Sequence, residues 1–214
     1  MKTAVIAGYT GLIGNQLLTL LLKSSDYEKV IALGRNSLDI QHPKLIQHKT
    51  DFNNLQFEEQ NIDDVFCCLG TTMKKARSKE QFRLVDFQYP VSLAKYCLTK
   101  GAKQFLLVSS IGADAKSNVF YSKVKGEVEN AITNLGYHRL DIFQPSMLLG
   151  PRGESRFAED LGKGGMKLFG FMFVGPLNNY KAIESIKVAR AMLYHSKEEG
   201  TGKATHLSGE LQRF

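Results

Sequence analysis

A short apolar run, Thr3 to Ala7, leads directly into Gly8-Tyr9-Thr10-Gly11-Leu12-Ile13-Gly14 and then into a leucine-rich stretch. This junction restricts the chain more than any other feature. Strand, glycine turn and helix follow one another in the order that a phosphate-binding βα unit requires. Gly8 permits the tight turn, Gly11 lets backbone approach a pyrophosphate without a Cβ in the way, and Gly14 lets the helix pack close to the strand. The first turn of such a helix offers N–H groups without intrahelical partners and a partial positive charge, and both suit an anion.

The rest of the chain repeats the pattern. Apolar or β-branched runs at Val30 to Leu33, Leu45 to His48, Val65 to Leu69, Phe105 to Ser109 and Leu140 to Phe143 read as further strands. Leu12 to Lys23, Tyr89 to Thr99 and Tyr121 to Asn134 have helical spacing; in the last, Val124, Val128 and Ile132 recur every four residues. Alternating strands and helices predict an α/β fold, a doubly wound parallel (Rossmann) sheet with helices on both faces. Ligands of such sheets bind beyond the carboxyl ends of the strands, where strand order reverses.

After Pro145 the pattern gives way to a segment rich in glycine and phenylalanine, Gly150 to Pro176, and then to a helix expected over Ile183 to His195. Residues 145–182 are expected to form a small C-terminal set of substrate-side loops within a single NAD(P)-binding domain spanning 1–214. Phe157, Phe169, Phe171, Met172 and Phe173 either line an apolar pocket or partner surface or pack beneath a long connection.

Composition narrows the class. A chain of 214 residues with 43% hydrophobic and 23% charged residues can bury one substantial core. Three cysteines, with Cys67 and Cys68 adjacent in an apolar run, suit reduced core thiols in a cytoplasmic setting and lack the spacing of a disulfide framework or metal site. Leu17 to Leu22, the most apolar stretch, is far shorter than a membrane span of about 18 residues. The net charge of +7 is spread along the chain without a nucleic-acid motif, which disfavours nucleic acid as a partner. Lys74, Lys75, Arg77 and Lys79 form the densest cluster, read as a solvated loop.

NAD-preferring folds place a carboxylate after the second strand to accept from the ribose 2′-hydroxyl. Here Gly34-Arg35-Asn36 fill that slot and no acid follows until Asp39, whereas Arg35 can meet a 2′-phosphate with charge-assisted hydrogen bonds. NADP(H) is therefore the expected cofactor. Asp51 and Phe52 after the third strand, and Leu69-Gly70-Thr71-Thr72 after the fourth, are expected walls of its site.

Tyr121 and Lys125 lie four apart on one helix face. Tyr96 and Lys100 share that spacing, but Tyr96 lies toward the amino edge of the sheet and reads as a packing residue. Tyr121 starts from the carboxyl edge, 11 residues past Ser110. Ser110, Tyr121 and Lys125 are thus the candidate catalytic set, with Ser109 the alternative to Ser110. The chemistry would be carbonyl reduction or its reverse: the serine hydroxyl holds the carbonyl oxygen, Tyr121 gives it a proton, and Lys125 hydrogen-bonds the nicotinamide ribose and favours the tyrosinate.

Cys67-Cys68-Leu69-Gly70-Thr71-Thr72, Val85-Asp86, Ser109-Ser110-Ile111-Gly112-Ala113-Asp114, Tyr121 with Val124-Lys125-Gly126-Glu127-Val128-Glu129, and Glu154-Ser155-Arg156 together resemble the Tat-interacting-protein-like oxidoreductases, atypical short-chain dehydrogenases. The likeness spans nearly the whole chain. It implies an NADP(H)-binding Rossmann fold with cofactor contacts at Gly8, Tyr9, Thr10, Gly11, Leu12, Ile13, Arg35, Asn36, Asp51, Phe52, Leu69, Gly70, Thr71, Thr72, Tyr121, Lys125, Leu148 and Arg156, and with Tyr121 as the catalytic tyrosine. Two positions depart from the family pattern: Tyr9 replaces a small residue, and Gln144 stands where an arginine is common. Two functional readings stay open. One is an NADP(H)-dependent reductase of a small carbonyl compound, or dehydrogenase of the alcohol; the other is a non-catalytic NADP(H)-sensing module that binds a protein partner.

Overall fold

The computed structural model describes residues 1–150 and 179–214. In chain order the elements are β1 (Lys2–Ala7), α1 (Leu12–Lys23), β2 (Tyr27–Gly34), β3 (Leu45–Lys49), β4 (Asp64–Cys67), α2 (Met73–Ala76), α3 (Lys79–Arg83), a π-helical turn (Leu84–Gln88), α4 (Tyr89–Thr99), β5 (Gln104–Val108), α5 (Phe120–Thr133), β6 (Arg139–Gln144), β7 (Leu148–Leu149), β8 (Ile183–Glu184), α6 (Ser185–His195), β9 (Gly202–Leu207) and α7 (Ser208–Leu211).

Seven strands form one sheet in the order β3-β2-β1-β4-β5-β6-β9, each paired parallel to its neighbour. This is the expected doubly wound Rossmann sheet. The chain builds outward from β1 to β3, then crosses back to lay β4 on the other side of β1. Strand order therefore reverses between β1 and β4, and sheets of this type form their ligand crevice beyond the carboxyl ends of the strands at that point.

Both faces of the sheet are covered, because successive strand residues point to opposite sides and both sets are apolar. Val5, Ala7, Ile31, Leu33, Val65, Phe105 and Leu107 pack under Leu93 and Cys97 of α4 and Val128 and Ile132 of α5. Ala4, Ile6, Val30, Ala32, Phe66 and Leu106 pack under Leu17, Leu18 and Leu21 of α1 and Val188 and Met192 of α6. The apolar stripes of these helices recur every three to four residues, which fixes the face that each turns to the sheet.

Several bounds differ from those expected. β2 begins at Tyr27 rather than Val30, and the Tyr27 hydroxyl is buried in hydrogen bonds to Asp64 (2.7 Å) and Ser196 (2.9 Å). The helix after residue 182 starts at Ser185, because Ile183 and Glu184 pair with Leu148 and Leu149 as a two-stranded sheet. β9 has no counterpart among the expected strands: Gly202–Leu207 is a polar edge strand with His206 alone of its residues buried, so it lacks the alternating pattern that announces a strand.

Candidate functional site

The glycine turn sits at the β1 side of the crevice. Gly8 has φ +84°, and a Cβ there would lie 2.4 Å from the Cys68 carbonyl oxygen, so the turn is pressed against the chain leaving β4. A Cβ on Gly14 would lie 2.3 Å from the Gly8 oxygen, which shows how closely α1 approaches the turn. The α1 N-terminus, at Gly11, has neither a side-chain cap nor an acidic residue in its first turn. The Gly11 N–H turns back onto the Gly8 carbonyl at 3.0 Å, and no side chain caps the N–H groups of the first helical turn, an arrangement suited to an anion.

Arg35 and Asn36 are exposed immediately after β2, and Arg35 makes no hydrogen bond or ion pair with any described residue. Tyr9, by contrast, turns inward: its ring is buried and its hydroxyl donates to the Asn36 carbonyl. Asp51 is exposed and accepts from the backbone and side-chain nitrogens of Asn53, both at 2.9 Å. Phe52 is buried and stacks on Tyr89 with ring centroids 5.3 Å apart.

Across the crevice, Leu69 to Thr72 follow β4, and Leu69 packs on the core. The Thr72 hydroxyl caps α2 by accepting from the Lys75 N–H at 3.2 Å. The Thr71 N–H donates to the Asp86 carboxylate at 2.8 Å, and the other Asp86 oxygen lies 2.7 Å from Lys125 Nζ. Asp86 is on the π-helical turn, whose hydrogen bonds span one residue more than those of an α-helix, and is the one buried residue of that turn. Both partners are buried. Burial opposes the charge on Lys125, but Asp86 and then Tyr121 outweigh it, and the lysine titrates above its ordinary range. A Cβ on Gly70 would stand 3.5 Å from Asp86 Oδ1 and 3.8 Å from Lys125 Nζ, so the β4 loop and α5 meet at this ion pair.

Tyr121 is half-buried in the first turn of α5, its ring 5.6 Å from that of Phe82. The two serines after β5 face different ways. Ser109 is buried and donates to Glu129, while the half-buried Ser110 hydroxyl makes only a long 3.4 Å contact to the Ile111 carbonyl. Glu129 also accepts from Gln144 Nε2 at 2.9 and 3.1 Å. Burial outweighs these hydrogen bonds and pushes the Glu129 carboxyl above its ordinary range. The neutral Gln144 thus leaves this carboxyl without the counter-charge that an arginine would supply. Ser109 is committed to Glu129, so of the two serines Ser110 has the freer hydroxyl.

Asp86 and Glu129 escaped the sequence reading as functional candidates. Each is an acid in an otherwise helical pattern, and only its burial, contributed by distant elements, distinguishes it from a surface carboxylate. Tyr96 bonds the backbone of Phe57 through its hydroxyl, at 3.1 and 3.0 Å, and packs on the Phe57 ring, as a packing residue should. Leu148 is half-buried in β7. Arg156, with Glu154, Ser155 and the aromatic set Phe157, Phe169, Phe171, Met172 and Phe173, lies outside the described residues.

One cluster of metal-ligating types occurs among the described residues: Asp141, His195 and His206, whose ligand atoms lie within 4.8 Å of one another. The Asp141 oxygens already accept from Arg139 (2.7 Å), Gln104 (2.8 Å) and His206 (2.9 Å). A dication here would displace these donors and face a guanidinium, so the cluster reads as an ion-pair network tying β6 to β9 and α6.

Residues 4–130 match the model of the NAD dependent epimerase/dehydratase family. The chain belongs to this family, with a short-chain-dehydrogenase-like fold of the oxidoreductase type. Among individual proteins it is 36% identical to Protein HTATIP2 of Rattus norvegicus over 208 residues, covering 94% of this chain and 84% of that protein. The resemblance to the Tat-interacting-protein-like group therefore stands. It is also 31% identical over 201 residues to Protein FMP52, mitochondrial, of Meyerozyma guilliermondii, covering 91% of this chain and 85% of that one. In fold it is similar to MoeE5 in complex with UDP-glucuronic acid and NAD, with TM-score 0.71, 16% identity, and coverage of 95% of this chain and 75% of that one. A UDP-glucuronic acid 4-epimerase from Bacillus cereus in complex with NAD gives TM-score 0.67 at 14% identity, covering 96% and 76%. No helix among the described residues is long and apolar enough to cross a membrane.

Proposed function

We propose that this protein is an NADP(H)-dependent oxidoreductase that interconverts a small carbonyl compound and its alcohol, with Tyr121 as proton donor. The carrying observation is the Asp86–Lys125 ion pair, which brings the β4 side of the crevice and the Tyr121 face of α5 to one place. The glycine turn with its uncapped helix supports a dinucleotide, and the exposed, unpaired Arg35, with no acid in the adjoining slot, supports the 2′-phosphorylated form. The cofactor, when bound and reduced, supplies a hydride to the carbonyl carbon.

The other steps fall to this chain. Ser110 donates a hydrogen bond to the carbonyl oxygen and orients it. Tyr121 transfers its phenolic proton to that oxygen as negative charge develops there, completing the alcohol. Lys125 stabilises the tyrosinate left behind; Asp86 takes one of its donors and fixes the ammonium, leaving the others for Tyr121 and the ribose. The free cysteines, with Cys67 pushed up to about 12 by burial, support a reducing, cytoplasmic setting. Fractionation checks that placement against the mitochondrial names of the fungal relatives.

The test is Tyr121→Phe. A screen of aldehydes and ketones with NADPH should show turnover in the parent protein and a loss of about 100-fold or more in the variant, with NADPH binding within about twofold of the parent. Tight NADPH binding without turnover of any carbonyl, and no difference between the two proteins, would overturn the enzyme and leave the cofactor-sensing module.

A further inference from the structure

We infer that Tyr9 is a positioning residue for cofactor selectivity: by pinning the backbone at Asn36, it holds the Arg35–Asn36 loop in place for a 2′-phosphate. This rests on the reading that Arg35 meets that phosphate. The Tyr9 ring is 1% exposed, and its hydroxyl donates to the Asn36 carbonyl. Burial raises the titration of this phenol above its ordinary value, so the hydroxyl keeps the proton it donates. The ring also rests on Gly34, where a Cβ would lie 2.5 Å from the phenol oxygen and 2.7 Å from Cε1 and Cζ. The turn that cradles the pyrophosphate and the loop at the end of β2 are thus fitted together through one side chain.

The two ends of the loop are fixed separately. The Gln47 side chain accepts from the Leu38 N–H at 2.8 Å and donates to the Leu38 carbonyl at 3.0 Å, and the Thr50 N–H binds the Gly34 carbonyl at 2.8 Å. Between these pins Arg35, Asn36 and Ser37 are exposed, with the Arg35 guanidinium unpaired among the described residues. A loop ordered before binding spares the ligand the entropy of ordering it. Only the 2′-phosphorylated cofactor places a charged group at this loop, so releasing one pin should weaken NADPH and leave NADH nearly untouched.

The experiment measures dissociation constants of NADPH and NADH, by nicotinamide fluorescence, for the parent protein, Tyr9→Phe and Arg35→Ala. Tyr9→Phe keeps the ring and removes one hydrogen bond; it should weaken NADPH by about fivefold and NADH by less than about twofold. A tyrosine that merely supports the turn would weaken both cofactors alike. Equal weakening of both, or of neither, alongside a collapsed preference in Arg35→Ala, removes the inference and leaves the 2′-phosphate reading standing. An unchanged preference in Arg35→Ala removes that reading and the inference with it.

Discussion

Replacing Asp86 with asparagine strikes the pair that joins the two sides of the candidate site. Asparagine preserves the size and an oxygen for the Thr71 N–H, but it removes the charge 2.7 Å from Lys125, where the side-chain exposures are 7% for the lysine and 0% for the aspartate. A buried charge stripped of its partner costs about 3 to 5 kcal/mol. Titration leads to a similar figure: an unpaired buried lysine falls about 3 pKa units below its ordinary 10.4, and 1.36 kcal/mol for each makes about 4 kcal/mol at neutral pH. In the parent protein the Lys125 pKa is raised, so the pair's contribution is complete below the ordinary lysine value and fades only as pH rises through the raised one. In the variant the folded state releases the proton first. The unfolded chain then binds more protons, and stability climbs between pH 7 and 10, which the parent does not do on this account. Urea denaturation at pH 7 and 9.5 reads both effects, and adding Lys125→Met to Asp86→Asn should recover much of the loss at pH 7. Losses below about 1 kcal/mol in the single variants, additive within about 0.5 kcal/mol in the double, would refute the reasoning.

Two further perturbations address the frame around the site. Gly8→Ala forces a Cβ to within 2.4 Å of the Cys68 oxygen at φ +84°, so it should cost about 3 kcal/mol in urea denaturation; a loss below about 1 kcal/mol would mean that the turn relaxes freely. At the β6–β9 edge, burial works against the Asp141 charge, yet hydrogen bonds from His206, Arg139 and Gln104 outweigh it and hold the carboxyl down to about 2. Its contribution is therefore complete above the ordinary aspartate value near 3.8 and is lost as pH falls toward 2, a change worth about 2 kcal/mol that Asp141→Asn should abolish from the pH dependence of unfolding. His206 acts with the opposite sign, its raised pKa giving stability that is complete below about 6.5 and lost as pH rises through the raised value.

What was legible in the sequence is what short-range pattern controls. The strand before Gly8, the leucine face of α1 and the continuous apolar runs of β2 and β5 carry their environment in their own sequence, and the doubly wound sheet follows from them. β9 was illegible for the converse reason. It is held by pairing with β6 and by His206 meeting Asp141 at 2.9 Å, a contact across 65 residues that no local window contains.

The candidate site divides along the same line. Gly8 to Gly14, and Tyr121 with Lys125, are read within one turn or one helix, and the fold sets them around one crevice because parallel strands put all their carboxyl ends on one side. The electrostatics around the pair come from elsewhere. Asp86 reaches Lys125 across 39 residues of chain, from a π-helical turn whose sequence, Leu-Val-Asp-Phe-Gln, reads as ordinary helix. Glu129 looks like a solvated helical acid until Ser109, just past β5, and Gln144 of β6 close on it. Tyr9 follows the same rule. It departs from the family pattern within the glycine turn, but its partners lie outside that turn: Gly34, 25 residues on, leaves space for its ring, and the Asn36 carbonyl accepts from its hydroxyl. The substitution and the absent Cβ are two halves of one packing solution, so placing a small residue at position 9 without filling the space above Gly34 should loosen the loop that carries Arg35.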